Sequence, residues 1–467
     1  MRPFRTLTDT IEALSRLTDY ERMSRHGRGY ARMSLEPIRR LLGAIGSPEA
    51  AYPALHVTGT KGKGSTATLA AALLDRIGGP IGLYTSPHLE SLFERVRVGD
   101  LDVSESEWIE GLERIRPAWE EAAASADDAA RPTFFDVVTA FALDHFRRRA
   151  VRAAVVEVGL GGRLDSTNVV STRVALVTNV SVDHAETLGR SPVAIAREKS
   201  GIIRGPIPVV TGVPPVTPAY GEIEAAARAA GARIVRLGFD VRVASFSPRS
   251  DENGPAGSTV TIGLPSGRTL KDLALGLLGR HQAGNAALAL AACEAFEGGE
   301  IPLSDRDIAE TLARVRIAGR AEPCGTAPPT LLDGAHNPAA ALALRSVLDD
   351  HYPGRPVVLL FGASGDKDVA GMLKSLRPRV AFAVLTRVAS PRAASTDDLR
   401  AASRRAGIAC DAREEPLEAL ERARAIALER GALLVVTGSF YLVGALRSAV
   451  LAAARASAGT TTTTGGS

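Results

Sequence analysis

Only three cysteines occur in 467 residues, at Cys293, Cys324 and Cys410. None belongs to a CxxC pair, so neither a disulfide framework nor a zinc ribbon is indicated. Aromatic residues make up 4% of the chain, which gives no aromatic-basic platform of the kind that carries single-stranded nucleic acid. Charge of either sign is not in excess: 56 Lys and Arg against 52 Asp and Glu leave a formal net charge of +4. Without a dense basic stripe, nucleic acid is not expected as a partner. A polyanionic small ligand in a local cradle fits this balance better. There is no clean run of 18 apolar residues, and the first twenty have no long apolar core behind their basic residues. Neither a membrane span nor a secretory leader is read, and a soluble cytoplasmic protein of two to four domains is expected.

What the chain does contain is concentrated in residues 59–65, which read GTKGKGS. They follow the apolar run Leu55-His56-Val57 and precede an Ala/Leu-rich stretch that predicts a helix over about 66–77. Three glycines in seven residues permit a tight turn whose backbone N–H groups converge on an anion. The helix that follows points its electropositive end at the same spot. Lys63 adds a mobile positive charge, and Thr60 or Ser65 a hydroxyl for phosphate or magnesium. The spacing is not the usual GxxxxGK[ST], because Gly64 separates Lys63 from Ser65. A glycine-rich turn that binds nothing is the bland alternative; the strand-loop-helix setting weighs against it.

Short helices are expected over 8–17 and 35–42, with a polar, basic loop over 22–32 between them. Past an apolar strand at 81–84 come Thr85, Ser86, Pro87 and His88, where ligand-facing loops lie in α/β sheets. Residues 94–98 alternate like an edge strand. Residues 100–124 read as an acidic helix with a solvated face, and 134–146 as a strongly apolar helix with Asp136 near its start. A buried strand over 151–158 ends in Glu157. A carboxylate closing an apolar strand beside the first loop suits Mg²⁺, which takes oxygen ligands and substrate phosphates; a helix cap or an arginine pair is the other reading. Strands over 174–180 and 207–211, with a helix over 190–199 that delivers Lys199, repeat the order expected of a parallel sheet. Residues 241–262 read as a short antiparallel appendage to that sheet. A helix over 279–294 carries Asn285, either a base reader or a satisfied core amide. Glycine and proline interrupt the pattern over 316–330. Beyond it, apolar runs at Leu331, 357–361, 382–386 and 433–437 predict a second, smaller α/β domain. Its first strand runs into LDGAHNP, a concentrated polar site, while residues 362–367 are either a ligand-facing turn or an ordinary exposed hairpin or helix entry.

Several blocks together resemble the folylpolyglutamate synthase/dihydrofolate synthase family of Mur-type ligases. They are HVTGTKGKGS, YTSPHL followed by ERVRV, TFFD, VVEVGLGGRLDSTN, DHAETLG, REKSGI, GRHQAGN, LLDGAHNP and TGSFYLVG. The match covers roughly residues 10–450 in the family's order. The resemblance implies an α/β, Mur-ligase-like fold: a large P-loop ATPase domain over 1–316 and a smaller Rossmann-like domain over 317–456; residues 457–467, SAGTTTTTGGS, read from their own composition as a disordered tail. It also implies an ATP-dependent ligase that activates a carboxylate as an acyl phosphate, which the amine of L-glutamate then attacks. The acceptor would be dihydropteroate, the glutamate tail of a reduced folate, or both, and the protein a cytoplasmic monomer.

Residue by residue, the resemblance puts Gly62, Lys63, Gly64 and Ser65 around the ATP phosphates, with Asn285, Arg320 and Asp333 also on the nucleotide. Ser86, Glu157 and His184 match magnesium-binding positions for two metal sites. Lys199 matches a lysine that is carboxylated in the family, an anionic carbamate in support of metal-bound catalysis. Lys63, Lys199 and His336 are the implied catalytic residues, His336 organising the incoming glutamate or making a structural hydrogen bond. Thr133, Phe134, Phe135, Asp136, Leu164, Asp165 and Ser166 would meet the pterin or folate. Two positions depart from the family pattern: Lys61 replaces the asparagine of GTNGKGS, and Asp136 a glutamate, which shortens that carboxylate's reach. The alternatives are a monofunctional folylpolyglutamate synthase, a Mur-type cell-wall amino acid ligase, and a nucleotide-binding regulator that has lost ligation.

Overall fold

Strand β1 (Ala54–Thr58) is buried at every position, so both of its faces must be covered, as in the centre of a parallel sheet. The computed structural model describes residues 3–19, 33–125, 127, 130–181, 189, 191–252 and 254–460. In it, β1 is flanked in parallel by β5 (Ala153–Glu157) and β6 (Thr172–Val177). The remaining strands of this sheet are β2 (Ile81–Tyr84), β3 (Val96–Val98), β4 (Leu101–Asp102), β7 (Val209–Thr211) and β8 (Ile234–Arg236). Their order is β4-β3-β2-β5-β1-β6-β7-β8, with antiparallel pairing only at β2–β3 and β3–β4. Register sets the function-bearing edge. Val57 lies opposite Glu157, Thr58 opposite Val177, and Tyr84 opposite Val156. The loops that leave β1, β2, β5 and β6 therefore start side by side at the carboxyl ends of the strands, where open α/β sheets bind ligands.

Helix Lys63–Gly78 covers the sheet with Ala67, Leu69, Ala70, Leu73 and Leu74. Beneath the edge strands lies an aromatic cluster in which Trp108 meets Phe141 edge-on with ring centroids 4.8 Å apart. Gly111 makes this approach possible: a Cβ there would run into the Phe141 ring. The apolar helix Phe134–Arg148 buries Phe134 and then eleven successive side chains from Asp136 to Phe146, leaving Phe135 half-buried.

By backbone contacts the chain divides into two compact units. The first comprises residues 1–244, 261–271 and 284–312, and the second residues 245–260, 272–283 and 313–467. The second unit's sheet has the order β12-β13-β17-β14-β15-β16, built from β12 (Glu322–Thr326), β13 (Pro329–Leu332), β14 (Val357–Phe361), β15 (Val380–Leu385), β16 (Cys410–Ala412) and β17 (Leu433–Thr437). Only the β12–β13 pair is antiparallel. The fold is thus mixed α/β, a larger unit followed by a smaller one.

Some local expectations differ from what forms. Residues 94–98 are not one strand: a capping box from Ser91 to Glu94 folds Leu92–Arg95 into a 3₁₀ turn before β3. The acidic helix begins only at Glu105, where Ser104 caps it, and Leu101–Asp102 pairs with β3 instead. The antiparallel segment is a separate sheet, β11 (Thr269–Leu275), β10 (Gly254–Gly263) and β9 (Arg242–Asp251) in that order, and not an addition to the parallel one. Residues 322–326 form an edge strand although Pro323 and Gly325 lie in it, which an antiparallel edge tolerates. The backbone of the last helix runs to Thr460. The basic loop at 22–32 and residues 461–467 lie outside the described residues. Among those described, no helix is long and apolar enough to cross a membrane, and the three cysteines are free thiols.

Replacing Phe141 by alanine empties the centre of the aromatic cluster. The expected cost is about 3–5 kcal/mol, read as an earlier first transition in urea; an unchanged midpoint would contradict this packing.

Candidate active site

The glycine-rich loop adopts a conformation that other residues resist. Gly62 has φ 76° and ψ 0° and is the N-cap of helix Lys63–Gly78. A Cβ on it would come 2.5 Å from Asn285 Oδ1. Glycine as the cap brings no side-chain cap of its own to the first turn, and the N–H groups of a helix start favour an anion. The loop is shaped from outside. Thr178 Oγ1 and Asn179 Nδ2 both donate to the Lys61 carbonyl, at 2.6 and 2.8 Å, and Asn179 Oδ1 accepts from Lys61 N at 3.0 Å. Thr60 N donates to the Asn179 carbonyl, and the Thr60 hydroxyl bonds with the backbone of Ser181. Lys199, only 3% exposed, donates from Nζ to the Gly59 carbonyl at 2.8 Å.

Beside the loop lies Glu157, 3% exposed at the end of β5. Lys63 Nζ is 3.8 Å from its Oε1, and Ser86 N donates to its Oε2 at 3.1 Å. Gly64 brings the helix backbone over this carboxylate, since a Cβ there would be 3.2 Å from Oε2. Gly62, Lys63, Gly64, Ser65, Ser86, Glu157, Lys199 and Asn285 thus belong to one neighbourhood in the first unit. His184 lies outside the described residues. Among the described residues no three His, Cys, Asp or Glu side chains cluster as a metal site. The donor set still fits magnesium, which usually binds through one or two carboxylates and substrate phosphates: Glu157 supplies the carboxylate and Ser86 a neighbouring hydroxyl.

The residues expected to meet pterin or folate divide by role. Thr133 caps helix Phe134–Arg148 and forms a capping box with Asp136, whose Oδ2 accepts from Thr133 N at 2.8 Å and from its hydroxyl at 2.7 Å. Asp136 Oδ1 accepts from Ser166 Oγ at 2.6 Å. The shortened carboxylate is thereby used to join the helix start to the loop after β5, and burial pushes its pKa up. Phe135 packs on Tyr84 with centroids 5.9 Å apart, and the Phe135 ring also fills the space in front of Gly159. Phe134 lies under the Arg95 guanidinium. Asp165 is 1% exposed and accepts from Leu160 N at 2.8 Å and Thr167 N at 3.0 Å. Leu164 and Ser166 flank it.

In the second unit, Asp333 accepts from Ala321 N at 2.8 Å and Ala335 N at 2.9 Å, and burial pushes its pKa up against the pull of Arg320. Arg320 lies over the Phe440 ring, 4.2 Å from its centroid, and His336 lies beside the same ring at 6.2 Å. His336 Nδ1 is 3.1 Å from the Gly334 carbonyl. A carbonyl only accepts, so Nδ1 carries a proton. Arg320 and His336 are therefore gathered around one ring, with Asp333 tied to the neighbouring backbone at Ala321 and Ala335.

The sequence reading missed Thr178 and Asn179. The sequence reading runs the strand on to residue 180, whereas β6 ends at Val177 and leaves both residues in the loop beyond it; what they bond to depends on β6 lying next to β1. It also missed Phe440, the ring that gathers the second group.

Residues 57–293 match the Mur ligase middle domain, and residues 319–440 the Mur ligase glutamate ligase domain. The dihydrofolate synthase/folylpolyglutamate synthase of Mycobacterium tuberculosis is 35% identical over 382 residues, 79% of this chain and 77% of the relative. The folylpolyglutamate synthase of Lacticaseibacillus casei is 33% identical over 416 residues, covering 89% and 94%. A crystal structure of the Mycobacterium tuberculosis folylpolyglutamate synthase complexed with ADP and AMPPCP matches with a TM-score of 0.86 at 32% identity, over 95% of this chain and 98% of that one. Fold and site define an ATP-dependent acid–amino-acid ligase of the Mur type. Within that class, the chain belongs to the folylpolyglutamate synthase/dihydrofolate synthase family, whose reaction is ATP-dependent ligation of glutamate.

Asn179→Ala removes both side-chain bonds to the Lys61 peptide. Each is worth about 0.5–1.5 kcal/mol, so the Kd for ATP by calorimetry is expected to rise about tenfold. An unchanged Kd would mean the loop holds its shape unaided.

Proposed function

We propose that this ligase joins L-glutamate both to dihydropteroate and to the glutamate tail of reduced folates, acting as a monomer in the cytoplasm. The observation that carries the reading is the convergence of Lys63, Ser86 and Glu157 beside a glycine-capped helix start, which suits phosphoryl transfer to a carboxylate. The relatives support the substrate pair, one being a dihydrofolate synthase/folylpolyglutamate synthase.

ATP would sit with its phosphates on Gly62, Lys63, Gly64 and Ser65, and with Asn285 beside the loop. A substrate carboxylate oxygen attacks the γ-phosphorus and ADP leaves, giving an acyl phosphate. Lys63 neutralises charge as it moves onto the transferred group, and the loop N–H groups hold that group in line. Bound by Ser86, Glu157 and His184, magnesium would supply further charge neutralisation on the phosphates. Lys199 as its carbamate would keep one N–H for the Gly59 carbonyl while placing one negative charge over two oxygens. The glutamate amine then attacks the acyl carbon and expels phosphate. His336 in its neutral form takes the proton that the amine loses. Arg320 and Asp333 are assigned to the nucleotide, and Thr133, Phe134, Phe135, Leu164 and Ser166 to the pteridine, with Asp136 and Asp165 holding those residues in place.

Purified protein given ATP, magnesium, glutamate and either dihydropteroate or tetrahydrofolate is expected to release ADP and form a glutamyl amide with each. ADP release without amide would overturn the assignment; amide from tetrahydrofolate alone would reduce it to a monofunctional enzyme. Lys63→Met is expected to lower kcat about 10²- to 10³-fold with an unchanged circular dichroism spectrum.

A further inference from the structure

His56 occupies the middle of β1 with no exposed surface. Its Nε2 lies 2.9 Å from Thr167 Oγ1, and that hydroxyl bonds in turn to Asp165 Oδ1. Thr167 has one hydroxyl proton. An ionised carboxylate only accepts, so the proton points at Asp165 and the imidazole must donate from Nε2. The ring is the neutral tautomer, its pKa held down at about 3 by burial and by the Arg204 charge. Nδ1 is left as a buried lone pair with no hydrogen-bond partner among the described residues. A leucine in its place would avoid leaving a polar atom unmet, so a histidine at this point needs a positive reason.

That reason lies at the far end of the chain of bonds. Burial pushes the Asp165 pKa up to about 6, and Asp136, on helix Phe134–Arg148, pushes in the same direction. The Thr167 hydroxyl is the largest influence the other way, followed by the Leu160 and Thr167 N–H groups. The anion at Asp165 ties Leu160 and Thr167 together across the loop, with Leu164 and Ser166 on either side of it.

We propose that His56 is a positioning residue for the pteridine substrate: through Thr167 it holds Asp165 as an anion, and that anion fixes the loop that presents Leu164 and Ser166. The proposal rests on the reading above that this loop takes the pteridine.

The test is the KM for tetrahydrofolate and for ATP, followed from about pH 5.5 to 8.5 across the ordinary carboxyl and histidine range. Thr167→Val and His56→Leu each remove a bond in the chain, so Asp165 takes up its proton at higher pH. Below pH 7 the folate KM is expected to rise about 5- to 10-fold, and the acid limb to move up by about one pH unit. The KM for ATP should stay within about twofold, since no bond to the phosphate loop is altered. Thr167→Ser keeps the hydroxyl, and His56→Gln offers an amide N–H where Nε2–H was; both should stay near wild type. Asp165→Asn should raise the folate KM at every pH and abolish the acid limb. If it does so while Thr167→Val and His56→Leu leave the limb in place, the role of His56 is overturned and the loop assignment stands. If Asp165→Asn leaves the folate KM unchanged, the loop assignment itself fails. Equal behaviour of His56→Leu and His56→Gln, or parallel rises for folate and ATP, would mean a general packing defect and overturn the proposal.

Discussion

The peptide of Lys61 is held on both sides by residues that follow β6, and the function-bearing geometry depends on that grip. A loop rich in glycine has the conformational freedom to wrap an anion, but that freedom makes any one shape expensive. Fixing the backbone of residues 59–61 costs on the order of 3–6 kcal/mol at about 1–2 kcal/mol per residue. The bonds from Thr178, Asn179, Ser181 and Lys199 are each worth about 0.5–1.5 kcal/mol net, and together they are of the same size. The loop therefore arrives shaped, at a place set by the pairing of β1 with β6. The same pairing logic delivers Glu157, because β5 lies on the other side of β1 with Val57 opposite the carboxylate.

Two kinds of carboxylate serve this unit. Glu157 faces Lys63 and the backbone over Gly64, where charge can be exchanged with a ligand. Asp136 and Asp165 instead accept from backbone N–H groups and hydroxyls, Asp165 within its own loop and Asp136 both from its helix start and from Ser166 of that loop. Buried acids are costly unless they are met by donors, and these two are met by groups that hold Thr133, Leu164 and Ser166 in position. In the second unit, Asp333 plays the corresponding structural part: it bonds Ala321 and Ala335, so that Arg320 and His336 both come to the Phe440 ring.

Most of the strand order along the chain was legible in the sequence, because strands buried on both faces read as unbroken apolar runs. The glycine-rich loop and Glu157 were legible for a local reason: each sits within a residue or two of such a run. Asn179 and Thr167 were not, since each acts on a segment more than a hundred positions away that only the sheet brings near. His56 was hidden inside an apolar run as one polar letter. Strands β8 and β16 were missed because each is three residues long and only partly buried, which leaves no apolar run to read, and β12 because Pro323 and Gly325 read as a turn. Asp136 reads as a shortened carboxylate near the ligand; its capping box with Thr133, three residues before it, is a local spacing which that reading passes over.

The central claim is that phosphate passes at this loop from ATP to the oxygen of an organic acid. It is tested most directly by running the reaction with substrate carrying ¹⁸O in the carboxylate that is to be ligated. If that oxygen attacks the γ-phosphorus, one labelled atom must leave with inorganic phosphate when the amine displaces it. Labelled phosphate in step with amide formation is the expected result. Unlabelled phosphate, with the label leaving as water or remaining on the substrate, would contradict the account.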